Sequence, residues 1–281
     1  MPTFDTPEPI TAHVDVVHGD VRVRAAGDGQ TVVTVDPSDA RDAEDRKAAE
    51  QTRVEYAAGR LLVRTPKLRS WLPRTSGGSV DVTIELPPGS HLHGSGSLTD
   101  IHAEGPLDEV RIKLGMGRVD VESAGTLTVK NGTGDIVAEH AGGHAEIATG
   151  SGEVRLRRIG GTGVIKNSNG DTWVGEAHDD LRIVSANGDI AVDHARAPVS
   201  AKTANGSVRL GDVVRGTVVL ESQLGDLEVG IREGTAAFLD VRATAGRVRN
   251  ALEAAEAPDA GAESVEVRAR TTVGDVVIRH A

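Results

Sequence analysis

The sequence contains no cysteine and very few aromatic residues, and both shortages limit what the chain can be. Without cysteine there can be no disulfide and no thiolate metal site. Aromatic residues make up only 2% of the chain, although phenylalanine, tyrosine and tryptophan usually dominate the core of a β-sandwich. The core of this protein must therefore be built from smaller, aliphatic side chains.

An excess of positive charge and a long hydrophobic run are also missing. The formal net charge is −11, which argues against a nucleic-acid partner because phosphate binding requires a basic surface. No apolar run approaches the roughly 18 residues that a membrane-spanning helix requires. The opening MPTFDTPEPI has neither the basic start nor the apolar stretch of a secretion signal. We therefore expect a cytoplasmic protein with no membrane span.

Glycine, by contrast, is abundant and periodic. Many of the 34 glycines open a Gly-x-aliphatic-x-aliphatic step. They are Gly117, Gly134, Gly152, Gly170, Gly188, Gly206, Gly225, Gly246 and Gly274. From Gly134 to Gly206 the step recurs every 18 residues, and a fixed period is typical of a repeat fold. Aliphatic residues alternate with polar ones on both sides of each glycine, which predicts two β-strands per repeat.

Two strands in 18 residues leave no room for a crossover helix, so each repeat must itself be one coil. Equivalent residues of successive coils then stack about 4.8 Å apart, and two facing sheets lie about 10 Å apart. Columns of valine, isoleucine, leucine and alanine fill so thin an interior, which explains the shortage of aromatic residues. The predicted fold class is an all-β parallel β-solenoid.

The period does not extend over the whole chain. Residues 1–90 alternate without it and are predicted to form a β-rich cap that is continuous with the solenoid of residues 91–281. An acidic, alanine-rich insertion, Glu253–Glu263, interrupts the last coils. At the end, Thr272–Ala281 is a strand pattern with no helix after it, so this coil is expected to expose an unpaired edge unless the insertion covers it. We expect a monomer or a homodimer through the C-terminal coil.

The turns between strands are small and polar, as solenoid corners require. Asn169, Asn187 and Asn205 occupy equivalent corner positions and predict a ladder of stacked amides. The position after the glycine is usually acidic, and the interpretation we favour is that each carboxylate caps its own turn. Binding of calcium is the alternative, and the weak candidate ligands are Asp135, Glu153, Asp171 and Asp189.

Other side chains are candidates for surface roles. A column six residues past the glycine alternates in charge and predicts a surface ladder of His140, Arg158, Glu176, His194 and Asp212. His91-x-His93 lacks a third ligand at a recognised spacing, so both are interpreted as loop histidines. Trp173, which strand parity points outward, and Trp71, in the basic loop Pro66–Gly78, are candidate binding residues. The remaining candidates for surface binding are Arg155 and Arg209.

The corner sequences NGTGDI, TGSGEV, NSNGDT and SANGDI resemble those of the bacterial putative-adhesin β-strand-repeat family. The stretches FDTPEPI and GDVRV near the start are similar to those of cytoplasmic actinobacterial members. The resemblance implies a right-handed parallel β-helix and covers nearly the whole chain. It implies no catalytic residue, because the family has no established function.

The sequence contains no HExxH, GxSxG or phosphate-binding loop motif, so we predict no catalytic residue and no cofactor. The leading hypothesis is a non-catalytic β-solenoid that acts as a scaffold or binding module for an unknown protein or glycan partner. One alternative is a β-helix protein that binds or cleaves polysaccharide. Another is a bactofilin-like solenoid that forms polymers.

Overall fold

The computed structural model describes residues 1–66, 78–252 and 263–281. The chain divides into two compact units, Met1–Glu139 and His140–Ala281. Both are built almost entirely of β-strands, and the parallel β-solenoid predicted from the sequence is confirmed. Within the described residues, no helix is both long enough and apolar enough to cross a membrane.

The first unit contains one short helix and most of the antiparallel pairing. Its elements are β1 (Thr3–Asp5), β2 (Thr11–Ala25), β3 (Gln30–Pro37), α1 (Ala43–Gln51), β4 (Arg53–Ala57), β5 (Arg60–Arg64), β6 (Val80–Leu86), β7 (His91–Met116) and β8 (Val119–Thr133). The next strand, β9 (Ile136–Ala141), contains the boundary between the units. The helix begins after Asp42, whose carboxylate accepts hydrogen bonds from the first-turn N–H groups of Glu44 and Asp45.

Strand β2 is the centre of this unit. It pairs in parallel with β7 along one edge, and with β5 and then β6 along the other. Strand β7 in turn pairs in parallel with β8. The remaining contacts are antiparallel, between β1 and β3, β3 and β6, and β4 and β5. Residues 1–90 thus contribute parallel as well as antiparallel strands, and the division proposed at residue 90 stays a prediction.

The second unit is a regular stack of two-strand coils. Its strands are β10 (Ala145–Ser151), β11 (Val154–Ile159), β12 (Gly163–Asn169), β13 (Thr172–Ala177), β14 (Leu181–Asn187), β15 (Ile190–Ala195), β16 (Val199–Asn205), β17 (Val208–Val213), β18 (Gly216–Leu224), β19 (Leu227–Ile231), β20 (Ala236–Ala245), β21 (Val248–Asn250), β22 (Ser264–Val273) and β23 (Val276–His280). From β10 to β17 each strand pairs in parallel with the strand two positions later.

The interior of this stack is a set of aliphatic columns. Ile147, Ile165 and Ile183 align on three successive coils, and each is fully buried. The glycine at each corner is required by close packing of the backbone. Gly188 has φ +128°, and a Cβ atom there would lie 2.2 Å from the carbonyl oxygen of Gly170 on the preceding coil. No other residue fits this position, which explains why glycine recurs with the period of the coil.

The last two coils are stacked in the reverse of their sequence order. Strand β22 lies between β18 and β20, and β23 lies between β19 and β21. The prediction that Thr272–Ala281 forms the exposed end is therefore wrong, because this segment is paired on both sides. The coil of residues 236–250 takes its place at the end of the stack. Most of the predicted insertion, residues 253–262, lies outside the described residues.

Candidate functional site

The acidic column after the corner glycines forms a hydrogen-bonded ladder between coils. Asp171 Oδ1 accepts a hydrogen bond from the N–H of Asp189, 2.8 Å away, and Asp189 Oδ1 accepts one from the N–H of Ser207, 2.7 Å away. Asp171 and Asp189 each receive a hydrogen bond from the turn of the following coil, so the prediction that these two carboxylates cap their own turns is wrong. Within the described residues, no three His, Asp or Glu side chains are grouped to hold a metal ion.

The predicted ladder of corner amides is confirmed. Asn187 Nδ2 donates to Oδ1 of Asn169, 2.8 Å away, and Asn205 Nδ2 donates to Oδ1 of Asn187, 2.7 Å away. Because Asn187 both donates and accepts, the ladder connects three successive coils. Its role is to hold the corners in register.

The column of mixed charges is also confirmed as a surface ladder. Glu176 contacts Arg158 Nε at 2.9 Å, Arg196 Nη2 at 2.6 Å and His178 Nε2 at 3.1 Å. Burial raises the pKa of Glu176, but the positive charges of His178, Arg196 and Arg158 together outweigh it and hold the pKa below its ordinary value. A carboxyl group with a lowered pKa is unsuited to act as a general acid, which requires a raised pKa.

Trp173 lies in one outward column with Arg155, Ala191 and Arg209, on four successive coils. The indole is half-buried, between the fully buried Thr172 and Val174 that strand parity placed inward. Arg155 contacts Glu153 at 2.7 Å, and Arg209 lies 3.8 Å from Glu228. Three of the four predicted binding residues thus share one face of the second unit. The fourth, Trp71, lies outside the described residues.

A groove in the first unit brings together residues that the sequence did not connect. It has a volume of about 460 Å³ and is formed by the outward faces of β2, β5, β7 and β8. Its lining includes the imidazoles of His13 and His93, the cations Arg64, Arg111, Lys113 and Lys130, and the carboxylate of Asp15. Four cationic side chains and a single carboxylate make this groove basic on a chain whose net charge is −11.

The two imidazoles stand side by side in this groove. His13 on β2 is in register with His93 on β7, and their ring centroids are 4.8 Å apart in an edge-to-face arrangement. Both are half-buried on strands. The prediction that His91 and His93 lie in a loop is wrong, because both belong to β7. The pKa of His13 is lowered by burial first, and then by the positive charges of His93 and Arg60.

The carboxylates in and near the groove already have cationic partners. Asp15 Oδ2 lies 3.4 Å from Arg64 Nε, and its Oδ1 accepts a hydrogen bond from the hydroxyl of Ser95 at 3.2 Å. Glu109, next to the groove, contacts both Arg111 and His93. Among the described residues, Lys113 has no carboxylate within ion-pairing distance. Its ammonium group is therefore available to a ligand.

The model of the Toastrack DUF4097 family matches residues 12–279 of this sequence. The chain belongs to the Toastrack DUF4097 family. The match includes residues of both compact units. The corner motifs predicted a relationship to a family of unknown function, and this prediction is confirmed. No curated protein matches the chain.

Solved structures with a similar chain trace include two putative adhesins. One is from Bacteroides fragilis NCTC 9343, with 13% identity over 100% of this chain and 95% of that chain, and a TM-score of 0.40. The other is from Parabacteroides merdae ATCC 43184, with 13% identity over the same shares of the two chains and a TM-score of 0.42. Likeness at this level carries no information about a ligand.

Proposed function

We propose that this Toastrack chain is a non-catalytic binding module and that it holds an anionic ligand in the basic groove of its first unit. The observation that carries the proposal is the concentration of four cationic side chains around a pair of imidazoles, on a chain with a net charge of −11. The net negative charge of such a chain repels anions at long range. The basic groove provides a positive surface that attracts them at one defined place.

The groove has the size and the charge arrangement of a ligand site. Its volume of about 460 Å³ lies within the range of about 300–1,000 Å³ that is typical of small-molecule sites. Lys113 and Lys130 face each other in register on neighbouring parallel strands. A carboxylate or phosphate group within reach of both ammonium groups is attracted by each of them.

The same residues argue against catalysis in the groove. Cleavage of a polysaccharide by the common hydrolytic mechanism requires two carboxyl groups, one of them protonated to act as a general acid. Asp15 is paired with Arg64, and Glu109 is paired with Arg111, so both carboxylates are already engaged in ion pairs. Of the alternatives raised by the sequence, binding of an anionic polysaccharide is compatible with this groove, whereas cleavage is not supported by it. A cytoplasmic location stays a prediction.

Titration calorimetry with three polymers tests the proposal. We expect the full chain to bind polygalacturonate or inorganic polyphosphate and to ignore neutral dextran, and we expect added salt to weaken binding because the attraction is electrostatic. The two anionic polymers distinguish carboxylate from phosphate as the recognised group. Incubation of each polymer with the protein, followed by analysis of chain length, checks that no cleavage occurs.

A pair of matched variants locates the site. Replacing Arg64 and Lys113 together by alanine removes two cations from the groove, and replacing Lys166 and Arg182 by alanine removes two exposed cations from the second unit. Both variants change the net charge equally. We expect only the first to lose binding, by at least tenfold. Equal weakening in both variants, or no binding of either anionic polymer by the wild type, would overturn the proposal.

A further inference from the structure

The end of the second unit exposes an unpaired strand edge. Strand β20 pairs in parallel with β22 along one side, and within the described residues of this unit no strand pairs with its other side. The N–H of Ala236 donates to the carbonyl of Glu263, so the backbone groups of Ala236 and of every second residue after it face the covered side. Neighbouring residues of a strand form hydrogen bonds in opposite directions, so the backbone groups of the residues in between point to the open side. These residues are Ala237, Leu239, Val241 and Ala243.

The hydrophobic core is uncovered at the same end. Leu239 and Val241 are half-buried, although they are in register with Val267 and Ala269, which are both fully buried. Val248 on β21 is 48% exposed, and Phe238 on the outward side of β20 is 62% exposed. Apolar side chains and unpaired backbone groups at a single edge form the type of surface that recruits another strand.

The charges on β20 select one partner and one register. On the outward face Asp240 and Arg242 have opposite charges and lie two residues apart. Asp240 also contacts Arg270 of β22 in the same chain, with Oδ2 3.0 Å from Nη2, and its carboxylate stays exposed to a second partner. If a second β20 approaches antiparallel with Val241 opposite Val241 of the second copy, then Asp240 lies opposite Arg242 of the second copy, and Arg242 lies opposite its Asp240. Shifting the register by two residues along one strand places like charges opposite each other, Asp240 against Asp240 or Arg242 against Arg242.

The backbone agrees with the register that the charges select. Val241 has its N–H and C=O on the open side, so it can form a hydrogen-bonded pair with its own copy across a two-fold axis. Asp240 and Arg242 of the second copy then form a non-hydrogen-bonded pair, in which side chains come closest, with Cα atoms about 4.5 Å apart. We infer that a second copy of this chain docks antiparallel on β20, forming a closed two-fold dimer through residues 237–243.

Sedimentation velocity of the full chain and its charge variants tests this inference. We expect a monomer–dimer equilibrium for the wild type. Asp240→Arg and Arg242→Asp each place like charges opposite each other twice per interface, so each should weaken the dimer by at least tenfold. The double variant restores opposite charges in exchanged positions and should recover dimerisation. Circular dichroism and thermal unfolding of each variant show that the chain itself is folded.

Engineered cysteines provide a second measurement that does not depend on charge, since the native chain has no cysteine. Val241→Cys would lie opposite itself at a Cα separation of about 5.5 Å, which suits a disulfide. Phe238→Cys, at a more exposed position, would lie opposite Thr244 of the second copy and serves as the control. We expect mild oxidation to link only the Val241 variant into a covalent dimer.

Three results would overturn the inference. The first is a monomer at every concentration together with equal cross-linking of the two cysteine variants. The second is failure of the double charge variant to recover the dimerisation that both single variants had lost. The third is growth of long filaments. Filaments would contradict it because a two-fold edge contact closes after two copies. They would support the bactofilin-like alternative instead.

Discussion

The indole Nε1 of Trp173 donates a hydrogen bond to Oδ2 of Asp193, with the two atoms 3.1 Å apart, and this bond connects neighbouring coils of the second unit. The ring passes over Gly175, where an added Cβ atom would lie 3.1 Å from the indole. A small residue on the same strand and an acceptor on the following coil thus hold Trp173 in a half-buried position. The indole therefore already has a hydrogen-bond partner within the chain.

We expect Asp193→Ala to release the indole, shifting its fluorescence to longer wavelength and lowering the stability by about 1 kcal/mol, the usual contribution of one hydrogen bond. The measurement requires Trp71→Phe as background, because the chain contains two tryptophans. Asp180→Ala removes an exposed carboxylate from a nearby turn and is the control, which should leave the emission unchanged. An unchanged spectrum in Asp193→Ala would show that the bond does not position the ring.

The carboxylate ladder makes a prediction that separates capping from metal binding. Asp189 accepts a hydrogen bond from the N–H of Ser207, and an asparagine side chain retains an oxygen that can accept the same bond. We therefore expect Asp189→Ala to lower the stability by about 1–2 kcal/mol and Asp189→Asn to lower it by less. Calcium should leave the melting temperature unchanged. A calcium-dependent rise that is lost in the double variant Asp171→Asn with Asp189→Asn would instead establish a cation site.

The regular part of the fold was predictable because one physical constraint repeats with each coil. The backbone passes too close to the preceding coil for any side chain at Gly188, and Asn187 beside it bonds the equivalent amide of that coil. These contacts link residues 18 positions apart, so they leave a fixed period in the sequence. The interval of 28 residues between Gly246 and Gly274 carried no comparable signal. Alternation identifies strands but does not state which coil each one stacks upon, so the reversed order of the last coils was not predicted.

The basic groove could not be predicted for the same reason. Its residues come from four strands, and those on β2 and β5 precede the periodic region. Alternation does place His13 and Arg64 on outward faces of their strands. Only the pairing of β2 with both β5 and β7 brings Arg64, His13 and His93 together. Trp173, by contrast, was identifiable because the strand parity within the period points it outward.

A buried charge should unfold several coils together. Ile190 is 1% exposed, and it packs in register between Thr172 and Val208 of the adjacent coils. Ile190→Asp places an unpaired carboxylate in an aliphatic column, at an expected cost of about 4 kcal/mol or more. Because each coil is stabilised by its neighbours, hydrogen exchange should accelerate over several coils. Ala191→Asp introduces the same residue on the outward face and should be tolerated; exchange confined to one coil of the Ile190 variant would contradict the prediction.

Acid should weaken the folded protein through His13 and strengthen its binding of an anion. The pKa of His13 in the folded chain lies below the ordinary value of 6.5, owing to burial, His93 and Arg60. Above 6.5 the imidazole is neutral in both states and costs nothing. As the pH falls through 6.5 toward the folded pKa, the unfolded chain takes up the proton more readily, so stability declines. A bound anion stabilises the protonated ring, so affinity should rise over the same range.

His13→Gln removes this titration while Arg64 and Asp15 remain beside it. We expect the variant to show a flatter dependence of the urea midpoint on pH and a flatter dependence of affinity for the anionic polymer that the wild type binds. Both are measured between pH values on either side of 6.5, the ordinary pKa of histidine. Parallel profiles of affinity against pH for wild type and variant would show that His13 does not contact the ligand. A ring that gains a proton on binding must change the slope of affinity against pH. If the variant shows a flatter affinity profile but an unchanged stability profile, then His13 takes up a proton only when the anion is bound.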